Sequence, residues 1–106
     1  MNLGPNEEQS KGRHSIDEII KISDALSNNM RIKILHLLNQ KPWNIYELAK
    51  ALNLSRPVVY AHLKKLEEAD LVESDLVLDD ARAKRIYKAK KFRFEIDNDM
   101  IDKLFE

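Results

Sequence analysis

Apolar residues recur at helical spacing in five segments of this chain and alternate with polar ones in two more. Ser15, Ile16, Asp17 and Glu18 form a capping box: the serine hydroxyl accepts from the Glu18 amide while the glutamate reaches back. It predicts a first helix to about Leu26, with Ile16, Ile19, Ile20 and Ile22 apolar. Four isoleucines are more than one face needs in so small a domain, so part of this face is expected to meet a second subunit. Ser27-Asn28 caps a second helix to about Asn39, with Ile34, Leu35 and Leu38 inward, and Pro42 stops it. Trp43 falls in the connection, where it plugs the edge of the core. Asn44, with Glu47 three residues on, caps a third helix to Leu52, with Ile45, Leu48, Ala49 and Leu52 inward. Asn53 suits the left-handed conformation of a tight corner. Ser55 then caps a fourth helix, and Pro57 sits in its first turn, where the missing amide hydrogen costs nothing. That helix ends near Ala69-Asp70.

From Leu71 the period falls to two. Residues 71–78 and 85–90, around a polar tip at 79–84, predict a two-stranded hairpin. Phe92, Phe94 and Ile96 either prolong the second strand or form a short third element. Asp97 or Asn98 caps a last helix whose Met100, Ile101, Leu104 and Phe105 are expected to pack on the first helix or on a partner. Residues 1–14 are polar, contain Gly4, Pro5 and Gly12, and are expected to be a flexible arm before one domain spanning 15–106.

The fourth helix has two dissimilar faces. Val59, Leu63 and Leu66, at spacings of four and three, make a narrow apolar stripe. The other face carries Arg56, Tyr60, Lys64 and Lys65, with no acid before Glu67. Such a helix can dock on a core and enter a DNA major groove at once.

A chain of 106 residues with 43% hydrophobic content has room for one domain and one modest core. No apolar run approaches the roughly 18 residues of a membrane span, and the N-terminus is not a signal peptide. The absence of cysteine excludes disulfides, thiolate metal sites and cysteine catalysis. A soluble cytoplasmic protein, not membrane-bound, is expected. The net charge is zero, with 18 basic and 18 acidic side chains, yet residues 81–94 hold seven bases and no acid. A neutral total can hide a basic surface, and phosphates respond to the local field. The competing reading is a solvated face of mutually paired charges. Nothing points to an enzyme: there is no glycine-rich phosphate loop, and His14, His36 and His62 are scattered.

The residues are more specific than the element order. Ala25-Leu26-Ser27-Asn28 with Met30 to Leu35, and then Glu47-Leu48-Ala49, Leu52, Leu54-Ser55, Val59, His62-Leu63, Leu66, Ala69 and Leu71-Val72, resemble the ArsR-type family over roughly residues 16–96. The resemblance implies a mainly α fold with a small β-hairpin wing, that is, a winged helix-turn-helix of helices, two antiparallel strands and a C-terminal helix. It also implies a DNA-binding transcriptional regulator, a repressor, acting as a homodimer through the first and last helices on palindromic double-stranded DNA. Metal-sensing members carry paired cysteines in the third helix, or histidines and acids on the last. This chain has neither set, so no metal or other cofactor is expected. The wing tip lacks the glycine often found there.

Arg56 is the candidate for bidentate reading of guanine, and Tyr60 for a phosphate or a thymine methyl. Pro57 and Ala61 permit close approach, Ser55 and Lys64 suit phosphates, and His62 either contacts DNA, at a position the family places near it, or covers the edge of the core. Arg82, Lys84 and Arg85 are the wing candidates, adding affinity with less sequence information. The alternative is a winged-helix module that docks proteins within a larger complex.

Overall fold

The structure, a computed structural model, describes residues 14–106. The expected N-terminal arm lies outside the described residues except for His14. The elements in order are α1 (Ile16–Leu26), α2 (Asn29–Gln40), β1 (Trp43–Asn44), α3 (Ile45–Leu52), α4 (Arg56–Glu68), β2 (Val72–Asp79), β3 (Arg82–Ala89) and α5 (Asn98–Lys103). The caps explain the boundaries. Ser15 and Asn44 close full capping boxes with Glu18 and Glu47. The Asn28 carboxamide accepts from Met30 and Arg31 at the start of α2.

Two sharp corners frame α4. Asn53 closes α3 in the left-handed region at φ 56°. There Leu54 N–H donates to Ala49 C=O, and Asn53 N–H to Lys50 C=O. After α4, Asp70 at φ 63° makes the same kind of corner, with Leu71 N–H on Leu66 C=O and Asp70 N–H on Glu67 C=O. Both are Schellman-type endings, which satisfy carbonyls that a helix end leaves free.

The core lies between α2, α3, α4 and the base of the sheet. Ile34, Leu48, Val59, Leu63 and Leu66 are fully buried, with Leu71, Val72 and Tyr87 sealing the sheet side. The sheet has three strands in the order β1-β3-β2, all antiparallel. The sequence reading anticipated only the hairpin. The third strand is the two-residue segment Trp43–Asn44, paired with Tyr87 and Ile86, too short to carry a periodic signal. Trp43 does sit at the core edge, and its indole N–H donates to Leu37 C=O at 3.0 Å. The strand does not run on through Phe92, Phe94 and Ile96: β3 ends at Ala89, and the chain is irregular up to Asp97.

Only the base of the hairpin is covered. Val72 is buried, whereas from Asp75 onward β2 is exposed, so the outer half projects as a wing. Its tip is the two-residue loop Asp80-Ala81 between paired Asp79 and Arg82. Both loop residues have positive φ, 48° and 65°, the signature of a type I′ turn. This turn suits the twist of a hairpin, which is why it forms without glycine, but alanine there is strained.

At the far end Asp97 caps α5 through Met100 N–H at 2.8 Å, and Met100 is buried. The Phe94 ring stacks on His14 at 4.5 Å, which holds this segment against the start of α1. Ile101 and Phe105 of the C-terminal segment and Ile16 and Ile20 of α1 remain exposed.

The strained tip yields a stability prediction. Ala81→Gly should stabilise the fold by about 1 kcal/mol, a rise of several degrees in Tm by calorimetry, because glycine has no Cβ to clash at φ 65°.

Candidate nucleic-acid interface

The helix α4 carries both the core and the surface. Val59, Leu63 and Leu66 are wholly buried, while Arg56, Pro57, Tyr60, Ala61 and Lys64 are exposed. Its first turn holds no acid. The positive end of the helix dipole and Arg56 therefore act together on any anion placed there. The Ser55 hydroxyl is used as the cap, accepting from Val58 N–H at 3.4 Å.

Six of the sequence candidates are brought together by folding. Arg56, Pro57 and Tyr60 from α4, and Arg82, Lys84 and Arg85 from β3, line one open groove of about 730 Å³. Asn44, Ile45 and Tyr46, at the start of α3, complete its lining. Ser55 lines a smaller neighbouring hollow of about 450 Å³ beneath the corner between α3 and α4, which shares Tyr46 and Arg56 with the groove. Ala61 and Lys64 lie outside both, further along the exposed side of α4.

Sequence reasoning missed Tyr46. It is 59% exposed, and the Arg56 guanidinium lies 5.6 Å from its ring centroid. This cation–π contact restrains an arginine that would otherwise sweep freely. The available signal was the apolar pattern of α3: placing Ile45, Leu48, Ala49 and Leu52 inward leaves Tyr46 outward, though only folding sets it beside Arg56.

The wing bases are less free than the acid-free run suggested. Lys84 pairs with Asp79 at 3.3 Å, Lys88 with Asp75 at 4.0 Å, and Lys90 with Asp70 at 2.6 Å. Arg85 donates to Ser74 Oγ at 3.0 Å, whose hydroxyl donates in turn to Glu67. The acids that flank the basic run in sequence face it across the hairpin. Among the described residues, Arg56, Lys64 and Arg82 form no ion pair. Exposed pairs of this kind contribute little and exchange readily for a phosphate.

His62 and Lys65 point elsewhere. Lys65 donates to the Asp24 carboxylate at 2.7 Å, back toward α1. His62 is half-buried, with Nδ1 at 3.2 Å from Nη1 of Arg31. A guanidinium can only donate, so His62 Nδ1 accepts and the ring is neutral with its proton on Nε2. Burial first, and then the Arg31 charge, hold its pKa below the ordinary 6.5.

No three His, Cys, Asp or Glu side chains among the described residues are grouped so as to hold a metal ion, and no helix there is long and apolar enough to cross a membrane.

Two helices joined by a tight corner, the second one docked by an apolar stripe and flanked by a β-hairpin, define a winged helix-turn-helix DNA-binding domain. Comparison with known proteins agrees. Residues 28–74 match the family described as bacterial regulatory protein, arsR family. Over 89 residues the chain is 70% identical to an uncharacterized HTH-type transcriptional regulator of Methanocaldococcus jannaschii, covering 84% of this chain and 94% of that one. The fold is similar to that of NolR from Sinorhizobium fredii, with a TM-score of 0.61 at 20% identity over 99% of this chain and 90% of that chain. It is also similar to a homodimeric winged helix-turn-helix DNA-binding domain from Mycobacterium bovis, with a TM-score of 0.61 at 22% identity over 83% and 73% of the two chains. The chain belongs to the ArsR-type family of transcriptional regulators.

The lowered pKa of His62 makes a pH prediction. The unfolded chain binds this proton more tightly than the fold does, so the contribution is full above about pH 6.5 and is lost as pH falls from there toward the lower folded value. Glu18 and Asp24 are also lowered, by the Ser15 amide and by Lys65 respectively, and their contributions fade only below 4.5 and 3.8. Melting temperature should therefore begin to fall below about pH 6.5, and a His62→Gln variant, which keeps an acceptor for Arg31, should show a flatter curve between pH 6.5 and 5.

Proposed function

We propose that this protein is a sequence-specific repressor that binds a palindromic duplex as a homodimer and acts by occupying its site in the cytoplasm. The observation that carries the reading is the single groove shared by the first turns of α4 and the wing strand β3. Arg56 is assigned to a guanine edge, Tyr60 to a phosphate or thymine methyl, and Ser55 and Lys64 to phosphates. Pro57 and Ala61 let the helix sit close to the bases, while His62, held against Arg31, is left out of the contact. Arg82, Lys84 and Arg85 follow the adjacent backbone or minor groove.

One subunit reads too few base pairs to select a genomic site. Ile16 and Ile20 of α1, with Ile101 and Phe105 at the C-terminus, offer exposed apolar surface for a second copy. The relative from Mycobacterium bovis is homodimeric, which supports the same assembly here. Two recognition helices on a two-fold axis reach half-sites about 10 base pairs apart, or a multiple of that.

A protein-docking role is the second reading. It is favoured by the wing, where Leu76, Val77 and Leu78 are exposed beside Asp79 and Asp80, with Leu78 81% exposed. A gel shift with duplex DNA separates the two: a docking module gives no salt-sensitive retardation.

Selection from a random duplex pool should return an imperfect palindrome. Arg56→Ala should weaken binding to it by about 1–3 kcal/mol and relax preference at one base pair per half-site. Recovery of unrelated sequences would exclude specific reading.

If each subunit neutralises about four phosphates, log affinity against log salt should fall with a slope near −7 for the dimer. Replacing Arg82 and Lys84 by alanine should flatten that slope and leave the preferred sequence unchanged. A slope that does not move would remove the wing from the contact.

A further inference from the structure

Among the described residues Arg31 is the one buried charged side chain, at 7% exposure. Its position on α2 gives it no access to the groove. Its hydrogen bonds instead join two other helices. Nε donates to Ala25 C=O at 2.8 Å and Nη2 to Asp24 C=O at 3.0 Å, both in the last turn of α1. That turn has no basic residue of its own. Arg31 therefore supplies both the missing donors and the positive charge that a helix C-terminus favours. Nη1 reaches His62 Nδ1 on α4 at 3.2 Å. On the outer side of the same joint, Lys65 of α4 holds the Asp24 carboxylate of α1 at 2.7 Å. Between them Ala25, 1% exposed, is small enough to let the helices approach closely.

We propose that Arg31 is a positioning residue: its planar fork fixes the angle between α1, the helix offered to the second subunit, and α4, the helix offered to DNA. In the dimer that angle sets the separation and relative rotation of the two recognition helices. Arg31 thereby determines how strictly half-site spacing is read, without touching DNA. The inference rests on the dimeric DNA-binding reading above. A lysine keeps the charge but not the fork, so it cannot hold three acceptors in fixed directions.

The test uses the palindrome selected by the wild-type protein and the same duplex with one base pair inserted between half-sites. The insertion moves one half-site by about 3.4 Å and turns it by about 35°. The wild type should lose about tenfold or more in affinity on the insertion. Arg31→Lys, folded by circular dichroism and dimeric by sedimentation, should lose less than about threefold, while its affinity for a single half-site matches the wild type. A merely structural role would weaken both duplexes and the half-site together and leave the insertion penalty unchanged, which would overturn the proposal. Failure of the wild type to retain any duplex would overturn it together with the DNA-binding reading. Should Arg31→Lys not fold, the surface change Lys65→Met at the same joint decides by the same comparison: a reduced insertion penalty supports the proposal, an unchanged one rejects it.

Discussion

The burial of one side of α4 is the contact on which the molecule depends. Val59, Leu63 and Leu66 lie wholly out of water. Full burial of each such side chain is worth about 1.5–3 kcal/mol, comparable in sum with the net stability of a small domain. The stripe is only one residue wide per turn. That narrowness leaves Arg56, Tyr60 and Lys64 on the outside without further cost, so the helix that closes the core also presents the proposed reading surface. The corners at Asn53 and Asp70 matter for the same reason: each ends a helix sharply enough to bring α3 and then β2 back against it.

The electrostatic arrangement divides the basic residues into two groups. Lys84, Lys88, Lys90 and Arg93 meet acids within the fold, and Arg85 is held through Ser74. Arg56, Lys64 and Arg82 form no such pair among the described residues, and two of these line the groove. A chain of zero net charge can thus offer a local positive field, because among the described residues these three bases have no acid within ion-pair distance. Arg31 belongs to neither group. Its charge is enclosed and spent on backbone carbonyls at a helix end, where the dipole makes a buried cation tolerable.

The wing is the part of the fold with least support from the core. Its base is anchored by Val72 and Tyr87, but beyond Asp75 the strands hold each other alone. The tip accepts strained Asp80 and Ala81 because a two-residue hairpin loop requires positive φ at both places. Leu76, Val77 and Leu78 remain exposed there.

The sequence alone determined the helices, their caps, the corner at Asn53 and the buried stripe of α4, since these depend on neighbours within one or two turns. It also placed the candidate DNA contacts on α4 and the wing, six of which folding gathered into one groove. Three matters were decided only in three dimensions. The strand Trp43–Asn44 exists because Tyr87 and Ile86 pass beside it, and two residues carry no period. Whether the acid-free run of residues 81–94 is paired stayed open in the sequence, because sequence distance hides cross-strand partners that the hairpin register brings within 4.0 Å. The helical pattern gives no distinguishing mark to Arg31 of α2 or to Tyr46 of α3. Their roles come from chain segments 31 and 10 residues away, His62 and Arg56, and contacts between elements leave no mark on local hydrophobic pattern.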